Sequence, residues 1–81
     1  MPALTVNVVD YNTNRPVLNA VVTVTGIAVV TNIWGQAVFQ AQPASYTVNV
    51  SRHNYTSETR LLTLTTNQTV TIRLVPRMGL L

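Results

Sequence analysis

The chain contains no cysteine and no lysine, and charged residues of either sign are scarce. Without cysteine it can form neither a disulfide nor a thiolate metal site. Without lysine it cannot form the Lys–Asn or Lys–Asp isopeptide bond that staples domains of some bacterial surface proteins. The chain has 81 residues, and a single domain of this size buries only about 60–65% of its unfolded surface. Its stability must therefore come from close packing or from association with other chains.

Charged residues make up 9% of the chain and hydrophobic residues 47%, with a net charge of +3. So little charge on a small domain favours association with other chains. The basic residues are all arginines and are spread along the sequence, so they do not form the basic arm that is typical of nucleic-acid binding. We therefore expect no nucleic-acid partner. The arginines are Arg15, Arg52, Arg60, Arg73 and Arg77.

The side chains that carry most enzyme chemistry are few. His53 is the only histidine, and Asp10 and Glu58 are the only carboxylates. These residues are too few for a catalytic dyad, a carboxylate pair or an oxygen-rich metal site. The three glycines are scattered and form no phosphate-binding loop. We predict a non-enzymatic protein without metal or cofactor.

No apolar run approaches the roughly 20 residues that a membrane-spanning helix needs, so we expect no membrane insertion. The stretch Met1–Thr5 has neither a basic nor an apolar region of the kind found in signal peptides. Either a leader was removed before this numbering begins, or the protein leaves the cell by another route, for instance inside a virion. We nevertheless expect an extracellular or cell-surface location, with a virion as the alternative.

Valine and threonine, which favour extended backbone, together make up about a third of the sequence. Apolar and polar residues alternate in several segments, as in a sheet with one buried face. Turn residues separate seven such segments, and this predicts an antiparallel β-sandwich in residues 1–76. After a first strand around Leu4–Val8, the predicted strands are Ala20–Thr25, Ile27–Val30, Gln36–Ala41, Ser45–Ser51, Glu58–Thr65 and Thr69–Val75.

The alternation also predicts which side chains form the core. One face of each strand should point inward, and that face is made of aliphatic and aromatic residues. The predicted core residues are Leu4, Val6, Val8, Ala20, Val22, Val24, Phe39, Tyr46, Val48, Val50, Leu62, Leu64, Ile72 and Leu74.

Several segments, in this order, resemble the carboxypeptidase regulatory-like family. They are Val6–Asp10 (VNVVD), Arg15–Val24 (RPVLNAVVTV), Thr31-Asn32 with Gly35–Phe39 (GQAVF), Pro43–Val48 (PASYTV) and Asn54-Tyr55. The resemblance covers most of the chain and implies a transthyretin-like (prealbumin-like) seven-stranded antiparallel sandwich. The chain departs from the family pattern in two places. It has Asn32-Ile33-Trp34 in place of an acidic, polar turn, and Ala44-Ser45 in place of a glycine before the tyrosine.

Turn tips usually carry polar residues, yet Ile33 and the chain's only tryptophan, Trp34, occupy this one. Trp34 either folds back to cap the core or anchors another surface. The apolar tail at residues 77–81 favours the second explanation. Leu80 and Leu81 lie beyond a complete fold, and an exposed apolar patch of this kind tends to bind other surfaces. We predict that a subunit interface is formed by Ile33, Trp34, Met78, Leu80 and Leu81.

Three Asn-X-Ser/Thr sequons begin at Asn49, Asn54 and Asn67. All three lie on a predicted outward face or in a loop, where a glycan could be attached. The alternative explanation is that a β-rich chain uses Asn in turns and Thr in strands.

Together these features predict a structural subunit that binds copies of itself head-to-tail in a fibre or filament, or in a virion. The alternative is a carbohydrate- or cell-surface-binding β-sandwich module of a larger secreted protein.

Overall fold

A computed structural model describes residues 2–77, in which every regular element is a β-strand. The predicted strands are confirmed to within two residues at each end. No helix in the described part of the chain could span a membrane. The strands are β1 (Ala3–Asp10), β2 (Val21–Val24), β3 (Ile27–Val30), β4 (Gln36–Gln40), β5 (Ala44–Ser51), β6 (Glu58–Leu64) and β7 (Gln68–Leu74).

The strands form two sheets that pack face to face as a β-sandwich. One sheet has three strands in the order β4-β1-β7, and the other has four in the order β3-β2-β5-β6. The edge strands β3 and β4 are neighbours along one side of the sandwich, and the edge strands β6 and β7 are neighbours along the other. These two sides are called the β3/β4 side and the β6/β7 side below.

The prediction of a wholly antiparallel sandwich is wrong for one pair of strands. β1 and β7 run parallel, with Val8 opposite Ile72, whereas the other pairs of named strands are antiparallel. The reason is that each connection between consecutive strands reverses the chain. All odd-numbered strands therefore run one way, and two odd-numbered neighbours must be parallel.

The core lies between the two sheets and consists of alternate residues of the strands. Most of the predicted core residues are buried, but Tyr46 and Leu62 are only partly buried at its margin. Val17 and Ala37 were not predicted and are buried. Val17 lies in the loop after β1, outside any alternating segment, so periodicity could not identify it. The buried apolar residues are Leu4, Val6, Val8, Val17, Ala20, Val22, Val24, Ala37, Phe39, Val48, Val50, Leu64, Ile72 and Leu74.

The parity of the strands also sorts the loops between the two ends of the sandwich. Residues 11–20, 31–35, 52–57 and 75–77 lie at the end where the odd-numbered strands finish, which we call the Trp34 end. The connections 25–26, 41–43 and 65–67 lie at the opposite end.

Phe39→Ala should destabilise the domain strongly, because Phe39 is only 6% exposed and is the single phenylalanine of the core. We expect a loss of about 3–5 kcal/mol in the free energy of unfolding, measured by chemical denaturation. Val38→Ala is the matched control, since Val38 is the next residue of β4 and is 54% exposed. It should cost less than about 1 kcal/mol. Equal losses in the two variants would mean that the faces of β4 are wrongly assigned.

Candidate interaction surface at the Trp34 end

The link between β3 and β4 is a tight turn whose polar residues hold the backbone. The Gly35 N–H donates to the Asn32 carbonyl at 2.9 Å. The Asn32 side-chain Oδ1 accepts the N–H groups of Trp34 at 2.9 Å and Gln36 at 3.0 Å. Asn32 and Gly35 thus supply the turn chemistry at the first and last positions. The two central side chains, Ile33 and Trp34, are left free to point outward.

Gly35 fastens this turn to β1. Its carbonyl accepts the Val8 N–H at 2.7 Å, and its φ of +73° is a left-handed conformation that favours glycine. A Cβ on Gly35 would stand 2.6 Å from the Val8 carbonyl oxygen and 3.0 Å from the Pro16 Cβ. The tip is therefore held against the body of the domain, not left as a free loop.

Thr31, just before the turn, is the one buried polar residue of the described chain. Its hydroxyl donates to the Val17 carbonyl at 2.7 Å and accepts the Ala20 N–H at 2.9 Å. These bonds tie the segment between Val17 and Ala20 to the end of β3. Sequence reasoning assigned no role to Thr31, because its only signal is a hydroxyl next to a turn in a chain rich in threonine.

Ile33 and Trp34 are 65% and 66% exposed. Trp34 therefore does not cap the core, and that explanation of the unusual turn is wrong. Further exposed apolar side chains lie at the same end. Val21 and Val30 are directly opposite each other on β2 and β3, and Leu18 lies in the loop before β2. Leu18, Val21, Val30, Ile33 and Trp34 together are called the apolar end below.

Three arginines lie at the same end of the molecule: Arg15, Arg52 and Arg77. The Arg52 Nε donates to the Leu18 carbonyl at 2.8 Å, so this guanidinium is held beside an apolar residue. The result is an apolar end accompanied by positive charge.

The carboxylate of Asp10 organises the neighbouring loops. Its Oδ2 accepts the Tyr55 hydroxyl at 2.8 Å, and its Oδ1 accepts the N–H groups of Asn12 at 2.8 Å and Thr13 at 3.1 Å. The Tyr55 hydrogen bond is the largest cause of a lowered Asp10 pKa, and the backbone hydrogen bonds add to it against an opposing effect of desolvation. The same hydrogen bond raises the pKa of Tyr55.

The other predicted site residues do not come together. Met78, Leu80 and Leu81 lie outside the described residues. The three sequon asparagines are exposed, as expected, but they are far apart in the fold. Asn54 lies at the Trp34 end with a left-handed φ of 70°, Asn67 lies at the opposite end and accepts the Ala3 N–H, and Asn49 donates from β5 to Thr59 on β6.

The described residues contain no group of three His, Cys, Asp or Glu side chains placed to hold a metal ion. His53 is exposed in the loop between β5 and β6. The prominent features of the site are therefore its apolar and cationic surfaces.

No protein-family model and no curated protein matches the chain. A solved structure does match: a chain in the crystal structure of a C-terminal interface mutant of the type II cohesin–X-dockerin complex from Acetivibrio cellulolyticus. The TM-score is 0.72 at 16% sequence identity, over 95% of this chain and 56% of that one. The present chain thus spans little more than half the length of the matching chain. The likeness establishes the β-sandwich fold alone.

Gly35→Ala should cost more stability than Gly26→Ala. Both glycines have left-handed φ values, +73° and +80°, so both variants lose about 1–2 kcal/mol to backbone strain. Only Gly35 also lacks room, since nothing lies within 4 Å of a Cβ built on Gly26. We expect a further loss of about 1–3 kcal/mol at Gly35, measured by denaturant unfolding. Equal losses would show that the tip does not press against β1.

The hydrogen bond between Asp10 and Tyr55 should make stability depend on pH at both extremes. The folded Asp10 holds its proton less tightly than the unfolded one, so stability should fall as the pH drops below about 5. The folded Tyr55 holds its proton more tightly, so stability should also fall as the pH rises past about 10. Tyr55→Phe should flatten both limbs of the stability curve. Tyr11→Phe is the control, because the Tyr11 hydroxyl makes no hydrogen bond with the described residues; identical curves for the parent and Tyr55→Phe would contradict the assignment.

Proposed function

We propose that this chain is a non-enzymatic β-sandwich module that binds another protein through its apolar end, at a cell surface or in an extracellular assembly. The observation that carries the proposal is the exposure of Trp34 and Ile33 on a turn that is fixed in place.

The rigidity of the tip favours tight binding. An aromatic side chain brings about 150–250 Å² of contact area, and association costs less when the binding segment is already ordered. The backbone of the tip is held by Asn32 and by the contact of Gly35 with Val8. Little conformational entropy of the backbone is therefore lost when Trp34 enters a pocket of the partner.

The charges of this end indicate the chemistry of the partner. Arg15, Arg52 and Arg77 favour an apolar pocket surrounded by Asp or Glu side chains. A second copy of this chain cannot offer such a pocket, because it has only two carboxylates. One of these, Asp10, already accepts hydrogen bonds from Tyr55 and two backbone N–H groups. A different protein is thus the better partner for this surface.

The fold comparison is compatible with a module of this kind. The matching structure is a complex of protein modules, as its cohesin and X-dockerin components indicate. It supports a sandwich of similar shape for the present chain, and the identity of the partner depends on the surface described above.

A second candidate function, the head-to-tail homopolymer, is favoured by a different observation. The edge strands β3 and β4 contain no charged residue. Charges usually prevent strand addition at a sheet edge, so the β3/β4 side is open to pairing with another copy. An open contact of this kind would generate a filament.

Trp34→Ser should weaken partner binding by about 30-fold or more, since truncating a central aromatic residue costs about 2–4 kcal/mol. The partner is first identified by a photo-activated cross-linking residue placed at position 34 in the native host. Its affinity is then measured with the purified proteins. The control places the cross-linker at Leu61, which is 78% exposed on β6, on the other sheet edge from β3.

A different protein that is cross-linked from position 34, and that binds Trp34→Ser weakly, would confirm the proposal. Cross-linking to a second copy would instead favour the homopolymer. Because Trp34 is the only tryptophan, its emission distinguishes the two cases as well. A blue shift of the Trp34 emission that grows with the concentration of the pure chain, together with a large species in sedimentation, would contradict the proposal of a module that binds a different protein.

A further inference from the structure

A groove lined mainly by charged and hydroxyl-bearing residues runs along the β6/β7 side of the sandwich, away from the β3/β4 side. Its volume is about 600 Å³, which is within the range of ligand-binding clefts. The groove is lined by Tyr11, Glu58, Arg60, Thr71, Arg73 and Val75.

Two arginines from different sheets line this groove. Arg60 is opposite Val48 and belongs to the inward-facing row of β6. Arg73, on β7, is opposite Val9 on β1. Among the described residues, Arg52 is the arginine whose guanidinium forms a hydrogen bond, and neither Arg60 nor Arg73 forms one. Their donors are therefore available to a ligand.

An inward-pointing charge on an edge strand has a structural use, because it prevents another strand from adding to the sheet. Glu58 and Arg60 serve this purpose on β6. Protection of the edge does not, however, require Arg73 on β7 and Tyr11 in the loop after β1 to line the same groove. Two cations, an aromatic ring and the Thr71 hydroxyl together form a constellation that suits a ligand.

We propose that this groove binds an anionic polysaccharide that carries carboxylate groups. Guanidinium groups bind carboxylates through paired hydrogen bonds, and Arg60 and Arg73 would each hold one acidic group of the chain. The Tyr11 ring, which is exposed, offers a flat apolar face to a sugar ring and a hydroxyl to its polar rim. Thr71 adds a donor and an acceptor.

The lining favours a sugar over an acidic peptide. Val75 is the single wholly apolar residue in the groove, whereas peptide grooves rely on apolar pockets for alternate side chains. The inward charges of β6 also oppose the strand addition by which an extended peptide would gain backbone hydrogen bonds. The groove is separate from the apolar end, so this inference does not rest on the function proposed for Trp34.

Glu58 makes the proposal sharper, because it lies in the same groove and repels an anion. Removing its charge should strengthen binding, while removing a groove arginine should weaken it. A neutral ligand would not produce opposite effects of this kind. The sign of the effect at Glu58 therefore reports the charge of the ligand.

The test uses polygalacturonate as the probe, with dextran as a neutral polymer and poly-glutamate as an acidic peptide, in calorimetric titrations at low salt. R60Q and R73Q should each weaken polygalacturonate binding about 3- to 10-fold, and E58Q should tighten it about 2- to 5-fold. Y11A should weaken it about 5-fold, and Y11F should retain most of it. R15Q removes the same charge outside the groove and should change the affinity less than about 2-fold. Unchanged thermal unfolding of each variant excludes a folding defect.

Several outcomes would overturn the proposal. One is the absence of polygalacturonate binding, and another is binding of dextran with equal affinity. If R15Q weakened polygalacturonate binding as much as R73Q does, binding would be due to general charge attraction and not to the groove. Tighter binding of poly-glutamate, with the same pattern across the variants, would assign the groove to an acidic protein segment. Trp34→Ser should bind polygalacturonate like the parent, so failure here is distinguishable from failure of the partner-binding proposal.

Discussion

The backbone of Val8 is the point on which the Trp34 end depends. Its side chain is fully buried in the core, and its strand continues beyond the last residue paired with β4. The unpaired backbone groups of β1 then find other partners. The Val8 N–H donates to the Gly35 carbonyl at 2.7 Å, and the Val8 carbonyl accepts the Val17 N–H at 2.9 Å. A buried backbone group without a partner is costly. The turn at Gly35 and the loop after β1 are therefore both held in place by hydrogen bonds to the backbone of one core residue.

Much of the fold could be predicted from the sequence because the strands alternate so regularly. Their bounds and most of the core follow from the period of two, as for Val48 and Val50 in β5. The parallel pairing of β1 with β7 does not, because alternation is the same in parallel and antiparallel strands. The parity of the chain reversals determines it once the two strands are neighbours, and that neighbour relation depends on non-local packing.

The candidate site was predictable in part. An apolar pair at a turn, Ile33 and Trp34, was visible in the sequence, and both side chains are exposed in the structure. The subunit interface predicted there stays a prediction. The turn itself was predicted, but the hydrogen bonds that fix it to the rest of the domain were not. Thr31 acts through a single hydroxyl whose partner, the Ala20 N–H, is brought to it only by the three-dimensional fold. The groove was even less predictable from the sequence. Arg60 and Arg73 belong to different sheets, and no sequence spacing predicts that they share a cleft.

Backbone strain is concentrated at the same end as the exposed apolar residues. Asn14, Asn19 and Asn54 have left-handed φ values and lie in loops of the Trp34 end, whereas Thr25 is the one such non-glycine residue at the opposite end of the described chain. Asparagine tolerates this conformation better than most residues, so each loop bends sharply at a modest cost. The hydrogen bonds of Thr31 and Asp10 offset that cost by tying the loops together. In a small domain without disulfides, such polar ties allow an end of the molecule to remain ordered while its largest side chain stays outside the core.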